Sequence, residues 1–270
     1  MTERKGGVQS LAEIAEFAYA TALAAGEAIL PHFRRLIDVE NKDRVGGYDP
    51  VTIADRAAET VIRAAIASAY PTHGVFGEEQ GRQAGAEPWT WVIDPIDGTK
   101  SFILGQLHWG TLIGLNDGAR PVVGVACQPF VGEAFVAYAG GPAQWRRGRE
   151  RRTLATRSCP RHADALVVTT DPRFFEPPRE AAAFAAVTGG ARFTRYGGDL
   201  YCYTQLAMGL CDVVIETGLK PYDIQALIPL VESAGGVISD WRGGPCADGG
   251  DVLACGDPSL HALLLERIAT

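Results

Sequence analysis

The stretch from Trp91 to Phe102, WVIDPIDGTKSF, sets two aspartates three residues apart at the end of a short apolar strand, then adds a glycine, a hydroxyl and a helix start. Asp94 and Asp97 offer hard anionic oxygens, which suit Mg²⁺ or Mn²⁺ better than softer metals. Pro95 stiffens the link between them, so both carboxylates can converge. Gly98 lets the backbone come close to a ligand, and the free N–H groups near Gly98 and Thr99 at a helix start can hold a phosphate oxygen. Whatever else the chain does, its fold has to bring metal and phosphate to one corner.

Two further acidic points fit that corner. GEE at Gly77 to Glu79 follows the apolar pair Val75 and Phe76, so Glu78 lies at a strand end or loop where a carboxylate can face a cleft. Far downstream, KPYDIQALIPLVESAGG places Asp223 at a helix start, with Ile224, Leu227, Ile228 and Val231 at helical spacing. A carboxylate there also serves as an N-terminal cap. Asp55 opens another helical pattern with Ala58, Val61, Ile62, Ala65 and Ile66, where a first-turn acid complements the helix dipole. Lys42 is either a phosphate partner or a plain loop charge.

The strings DPVTIAD (Asp49 to Asp55), GEE, DPIDGT (Asp94 to Thr99) and Asp223 followed by ESAGG (Glu232 to Gly236) come in this order across most of the chain. In them the chain resembles the inositol monophosphatase family of metal-dependent phosphatases. Tyr222-Asp223, Lys100-Ser101, GLKPYDIQALIPLVE and ISDW are most similar to its histidinol-phosphatase branch. The resemblance implies an α+β fold, a layered α-β-α-β-α sandwich with the site between its halves, and a homodimer. It also implies two or three Mg²⁺ ions, with Mn²⁺ able to substitute, that lower the pKa of a water and stabilise the departing alkoxide. Carried over residue by residue, Glu78, Asp94 and the carbonyl of Ile96 hold the first ion, and Asp94, Asp97 and Asp223 the second. Glu78 holds a weaker third ion through water. Gly98 and Thr99 bind phosphate, and the Thr99 hydroxyl, oriented by Asp55, positions or deprotonates the attacking water.

The resemblance also implies that substrate choice turns on Asp97, Asp199 and Glu216. Asp199, in RYGGDLYCY, either meets the substrate or caps the helix after Gly197-Gly198. Carboxylates there favour a cationic amino alcohol such as histidinol phosphate, whereas an inositol ring needs only hydroxyl partners. Three readings follow: a histidinol-phosphate phosphatase of histidine biosynthesis, a broader inositol or sugar monophosphate phosphatase, and a regulatory binding protein that kept the fold.

Composition narrows the rest. The chain has 270 residues, enough for one domain with two lobes or equally for two domains, residues 1–142 carrying most metal ligands and 143–270 carrying Asp223 and the specificity residues. A hydrophobic fraction of 47% and a mean hydropathy of +0.02 indicate a soluble globular protein. No stretch reads as a membrane span, and MTERKGGVQS lacks the apolar core of a signal peptide, so a cytoplasmic protein is expected. The net charge of −7 argues against nucleic acid as a partner and leaves a small phosphorylated substrate. The basic run from Arg146 to Arg157 reads as a solvated hairpin face. The six cysteines form no CxxC pair and read as buried thiols.

Periodicity predicts a helix over Leu11–Phe33, a flexible loop over Asp43–Pro50 and a second helix over Thr52–Ala69. An antiparallel meander is expected over Trp91–Tyr138, with a break at Gly140 to Pro142. Beyond it, strands at Ala165–Thr169, Cys211–Glu216, Val237–Ser239 and Val252–Ala254 alternate with helices at Arg179–Val187, Leu200–Met208, Asp223–Ala234 and Pro258–Ile268.

Overall fold

The computed structural model describes residues 10–42 and 48–269; most of the expected Asp43–Pro50 loop lies outside the described residues. In chain order the elements are α1 (Leu11–Ile29), β1 (Val39–Asn41), β2 (Pro50–Thr52), α2 (Ile53–Ala69), β3 (Gly74–Gly77), β4 (Gly81–Gln83), β5 (Thr90–Asp97), α3 (Thr99–Ile103), β6 (Gly110–Asn116), β7 (Pro121–Gln128), β8 (Glu133–Tyr138), β9 (Gln144–Arg147) and β10 (Glu150–Thr153). There follow β11 (Leu166–Thr169), α4 (Arg179–Thr188), β12 (Phe193–Tyr196), α5 (Leu200–Ala207), β13 (Val213–Leu219), α6 (Pro221–Ile224), α7 (Leu227–Ser233), β14 (Val237–Asp240), β15 (Gly250–Cys255) and α8 (Pro258–Ile268).

The first sheet runs β10-β9-β8-β7-β6-β5-β3-β4 and the second β12-β11-β13-β15-β14. Strands β6 and β7 are buried along nearly their whole length, so both faces of the first sheet must be covered. On one face lie α1 and α2. Ala15, Ala18, Ala22 and Ala25 of α1 repeat at three- and four-residue spacing and bring its backbone close to the sheet, within a core that holds Trp91, Ile93 and Trp109. On the other face α5, α6 and α7 fill a second core with Leu112, Phe135, Leu206, Leu227 and Leu230. The second sheet lies on that layer, and α4 and α8 cover its far side around Val213, Leu253, Leu260 and Trp241. The order is α-β-α-β-α, as expected from the resemblance.

Particular boundaries differ for local reasons. Helix α1 stops at Ile29 rather than Phe33, because Pro31 has no N–H to continue the ladder and the chain tightens into a 3₁₀ turn over Leu30–His32. The helix expected over Asp223–Ala234 is two, α6 and α7. Pro229 cannot donate to the carbonyl four residues back, so the chain breaks at Gln225-Ala226 and the proline takes a first-turn place in α7. The first sheet does not end at Pro142: β9 and β10 continue it to Thr153, so a division at 142 cuts through one sheet.

The hairpin β9–β10 carries the basic run, and its arginines divide. Arg147, Arg149, Arg151 and Arg152 are exposed as expected. Arg146 is buried and bonds Glu16 of α1, and Arg157 holds Asp212 through two bonds of 2.7 and 2.6 Å. All six cysteines are free and buried. Among the described residues no helix is long and apolar enough to cross a membrane.

Candidate active site

In a regular strand, residues three apart face opposite sides of the sheet. Asp94 and Asp97 escape this because β5 bulges between them: Asp94 pairs with Leu112 but Asp97 with Gly110, three residues on one strand against two on the other. Pro95 sits in the bulge, where its missing N–H breaks no ladder bond. The loop is pinned by Thr111 Oγ1 donating to the Pro95 carbonyl at 2.8 Å and by the Ile96 N–H donating to Asp94 Oδ1 at 3.0 Å. Gly98 then turns with φ +81°, and a Cβ there would lie 2.4 Å from the His108 carbonyl oxygen, so only glycine fits. Helix α3 starts at Thr99 as expected but has only five residues, so its dipole is short.

Asp223 arrives from the other half of the fold. The junction of α6 and α7 rests on the paired glycines Gly114 and Gly124 of β6 and β7, and a Cβ on Gly124 would come 1.9 Å from the Ala226 carbonyl oxygen. That close approach lays α6 against β5. Carboxylate oxygens of Asp94, Asp97 and Asp223 come within 4.8 Å of one another. Asp223 also accepts the Lys220 N–H at 2.7 Å, so it closes its own helix start and faces the cleft at once.

Glu78 lies at the end of β3, where its N–H donates to the Ile93 carbonyl at 3.1 Å. It lines the same cavity, of about 450 Å³, as Asp94, Asp97, Asp223, Gly98 and Thr99. Its carboxylate and that of Glu79 are each 2.7 Å from the Lys42 ammonium. Burial would lower the Lys42 pKa, but the charges of Glu78 and Glu79 outweigh it and hold it well above the usual range. Lys42 is therefore more than a loop charge: its bonds run to the carboxylates, and it neutralises part of the corner.

Electrostatics set these acids apart. Burial, then the charges of Glu78, Asp97 and Asp223, raise the Asp94 carboxyl well above the usual carboxylate range. Burial and the neighbouring charges do the same to Asp97, although the Leu200 N–H at 2.5 Å acts the other way. Asp223 is pushed up to about 7, mainly by burial. Crowded, desolvated carboxylates of this kind demand a cation, and an all-oxygen set fits Mg²⁺. The donor set matches the metal by its chemistry.

Asp55 and Thr99 sit differently from the dyad expected of them. Asp55 Oδ2 accepts the Thr52 N–H at 2.8 Å and the Thr52 hydroxyl at 2.6 Å, a capping box that starts α2. The Thr99 hydroxyl donates to the Ile96 carbonyl at 3.0 Å. Asp55 Oδ1 is buried with no hydrogen-bond partner among the described residues, and burial moves the carboxyl up to about 6.

Asp199 does not cap α5 with its side chain, so the capping alternative is corrected. Its backbone has φ +46°, which turns the carboxylate away from the helix end toward Ser101, whose hydroxyl donates to it at 3.0 Å. Burial lifts its pKa to about 6. Glu216 is buried midway along β13, beside the C-terminal end of its parallel neighbour β11, and accepts the Thr170 N–H at 2.7 Å and the Thr170 hydroxyl at 2.9 Å; burial lifts it to about 8. Both line the cavity. Pattern reading does not single out Glu59, which is fully buried and accepts the N–H groups of Glu79 and Gln80, fixing the turn that presents Glu78. Its spacing from Asp55, one helical turn on α2, is the signal that could have found it.

Comparison with known proteins decides the family. Residues 10–270 match the model of the "Inositol monophosphatase family". The chain belongs to the inositol monophosphatase family. It is 39% identical over 260 residues to "Bifunctional phosphatase IMPL2, chloroplastic" of Arabidopsis thaliana, covering 92% of this chain and 73% of that protein. It is 34% identical to a "Histidinol-phosphatase" of Streptomyces coelicolor, over 92% of this chain and 94% of the relative. An inositol monophosphatase structure from Zymomonas mobilis superposes with a TM-score of 0.85 at 37% identity, covering 97% of this chain and 100% of that one. Family, fold and acidic corner together make this a Mg²⁺-dependent phosphomonoesterase of the inositol monophosphatase superfamily, and these relatives do not favour one branch over another.

Proposed function

We propose that this chain hydrolyses the phosphate ester of a small, positively charged alcohol, with L-histidinol phosphate as the favoured substrate. The observation that supports it is the charge of the cavity wall beyond the metal corner. Asp199 and Glu176 stand there against Arg173 among the described residues, and Glu216, which burial keeps protonated near neutrality, would ionise beside an incoming cation. An excess of carboxylate favours an ammonium or imidazolium group over a neutral polyol. A broader inositol or sugar monophosphate phosphatase is the second reading. One relative supports it: the solved structure from Zymomonas mobilis is that of an inositol monophosphatase.

Asp94, Asp97 and Asp223, with Glu78 and the Ile96 carbonyl, would hold Mg²⁺, which when bound neutralises phosphate charge and supplies an activated water. Gly98 and Thr99 offer N–H groups to a phosphate oxygen. The Thr99 hydroxyl would hold or take a proton of the attacking water, and the unpartnered Asp55 Oδ1 is the acceptor it would use on turning from Ile96. Lys42 would release Glu78 as the cations arrive, and a homodimer fits the family.

The deciding experiment compares kcat/KM for L-histidinol phosphate and myo-inositol 1-phosphate in Mg²⁺. Histidinol phosphate should lead, and Asp199→Asn should cut its kcat/KM relative to glycerol 2-phosphate by the equivalent of about 1 to 3 kcal/mol, as for a lost charge-assisted hydrogen bond. A clear lead for inositol phosphate would hand the assignment to the second reading. No phosphatase activity at all would leave a regulatory binding role.

A further inference from the structure

Beyond the metal corner the cavity wall holds two aromatic residues that the reaction as derived does not use. Phe174 closes the 3₁₀ turn Pro172–Phe174 after β11, and its side chain stands 41% exposed at the mouth. It lines both the main cavity and an adjoining one of about 460 Å³ that continues past Gly98, Lys100 and Asp171. Single exposed aromatics are common on surfaces, but this one stands inside the cleft. The Lys100 ammonium lies 5.3 Å from the centre of its ring, so the ring already carries a positive charge.

Tyr203 of α5 is the second. It is buried and lines the main cavity, yet its hydroxyl has no hydrogen-bond partner among the described residues. Burying a phenol unpaired costs stability that a phenylalanine would spare. Glu216, also buried, lines the same cavity wall.

We propose that this part of the cleft is a subsite for a flat, positively charged ring on the leaving alcohol, with Phe174 as the stacking face and the Tyr203 hydroxyl beside Glu216 as the polar floor. The proposal rests on the phosphomonoesterase reading and adds the residues that choose the alcohol. An imidazolium replaces the Lys100 ammonium over Phe174, and its ring nitrogens meet the phenol and the carboxylate. A polyol has no flat, charged aromatic face to stack.

The test uses full-length protein in Mg²⁺ with three esters: L-histidinol phosphate, phenyl phosphate (planar and neutral) and glycerol 2-phosphate (no ring). Phe174→Leu should lower the kcat/KM ratio of phenyl phosphate to glycerol 2-phosphate about five- to tenfold, the scale of one aromatic contact, and Phe174→Tyr should restore it. Tyr203→Phe should lower the ratio of histidinol phosphate to phenyl phosphate about fivefold or more while the melting temperature holds or rises. An unchanged ratio in Phe174→Leu overturns the stacking face. An unchanged ratio in Tyr203→Phe, or a fall in melting temperature without a change in ratio, overturns the floor. The wild-type ranking of histidinol against inositol phosphate is read separately, so a failed substrate assignment is not confused with a failed subsite.

Discussion

Asp212 and Asp257, in the outer part of the second half, are buried carboxylates that the chain itself satisfies, whereas Asp94, Asp97 and Asp223 crowd together at the cleft without an ion pair among the described residues. Asp212 takes two bonds from Arg157 and the Leu166 N–H at 2.8 Å. Asp257 takes the Ser259 hydroxyl and N–H, the Ser158 hydroxyl and the Cys159 N–H, and those donors, Ser259 foremost, hold it down to about 2. At the cleft, burial drives Asp223 the other way, to about 7. The same side chain is thus part of the scaffold where donors surround it and part of the chemistry where they are withheld.

The largest expected effect breaks that contrast at its acidic end. Asp94→Asn should abolish Mg²⁺-dependent turnover, as should EDTA on the wild type, yet the metal-free variant should melt higher, by about 2 to 4 °C for each kcal/mol of relieved repulsion. Turnover surviving exhaustive chelation, or a lower melting point for the metal-free variant, would contradict it. Thr99→Ala comes next. It should slow kcat roughly a hundredfold while keeping the rise in melting temperature that Mg²⁺ gives. Wild-type turnover there would remove Thr99 and Asp55 from water activation.

At the satisfied end the signs invert. Asp212→Ala leaves the Leu166 N–H and a half-exposed Arg157 without their acceptor, and should cost about 2 to 3 kcal/mol of stability with kcat/KM unchanged. Denaturant unfolding beside a turnover assay reads both. The smallest effect is a pH profile. For Asp223, whose folded pKa of about 7 exceeds its ordinary value of 3.8, the metal-free fold binds a proton that the unfolded chain releases, so stability falls as pH rises through that window. For Asp257, at about 2 against 3.8, stability is present above the unfolded value and lost as pH falls toward the folded one. Melting of metal-free protein should therefore peak at about pH 4 and fall toward neutrality, and Mg²⁺ should raise the neutral side most. A profile flat from pH 5 to 8 without metal would mean that the cleft acids are not crowded in solution.

Much of this was legible in the sequence because its signals are local. The D-P-I-D-G-T string carries its own bulge and turn, so the places of Asp94, Asp97 and Gly98 follow from neighbours in the chain. Helix α8 is marked by Asp257 and Pro258, and it spans the expected residues. What was not legible depends on distant contacts. Nothing near Glu59 says that it will hold the Glu78 turn, and nothing near Asp199 says that its carboxylate will meet Ser101 rather than its own helix. The extent of the first sheet was missed for a similar reason: Gly140 to Pro142 turn the chain, but β8 accepts β9 beyond them.

The seating of α6 and α7 on Gly124 also bears on when the molecule becomes competent. Asp94 and Asp97 leave the ribosome long before Asp223, and α6 cannot take its place until β6 and β7 have paired beneath it. A half-made chain therefore carries an acidic corner with one wall missing. The crowding that calls for a cation forms only when the segment carrying Asp223 has been seated.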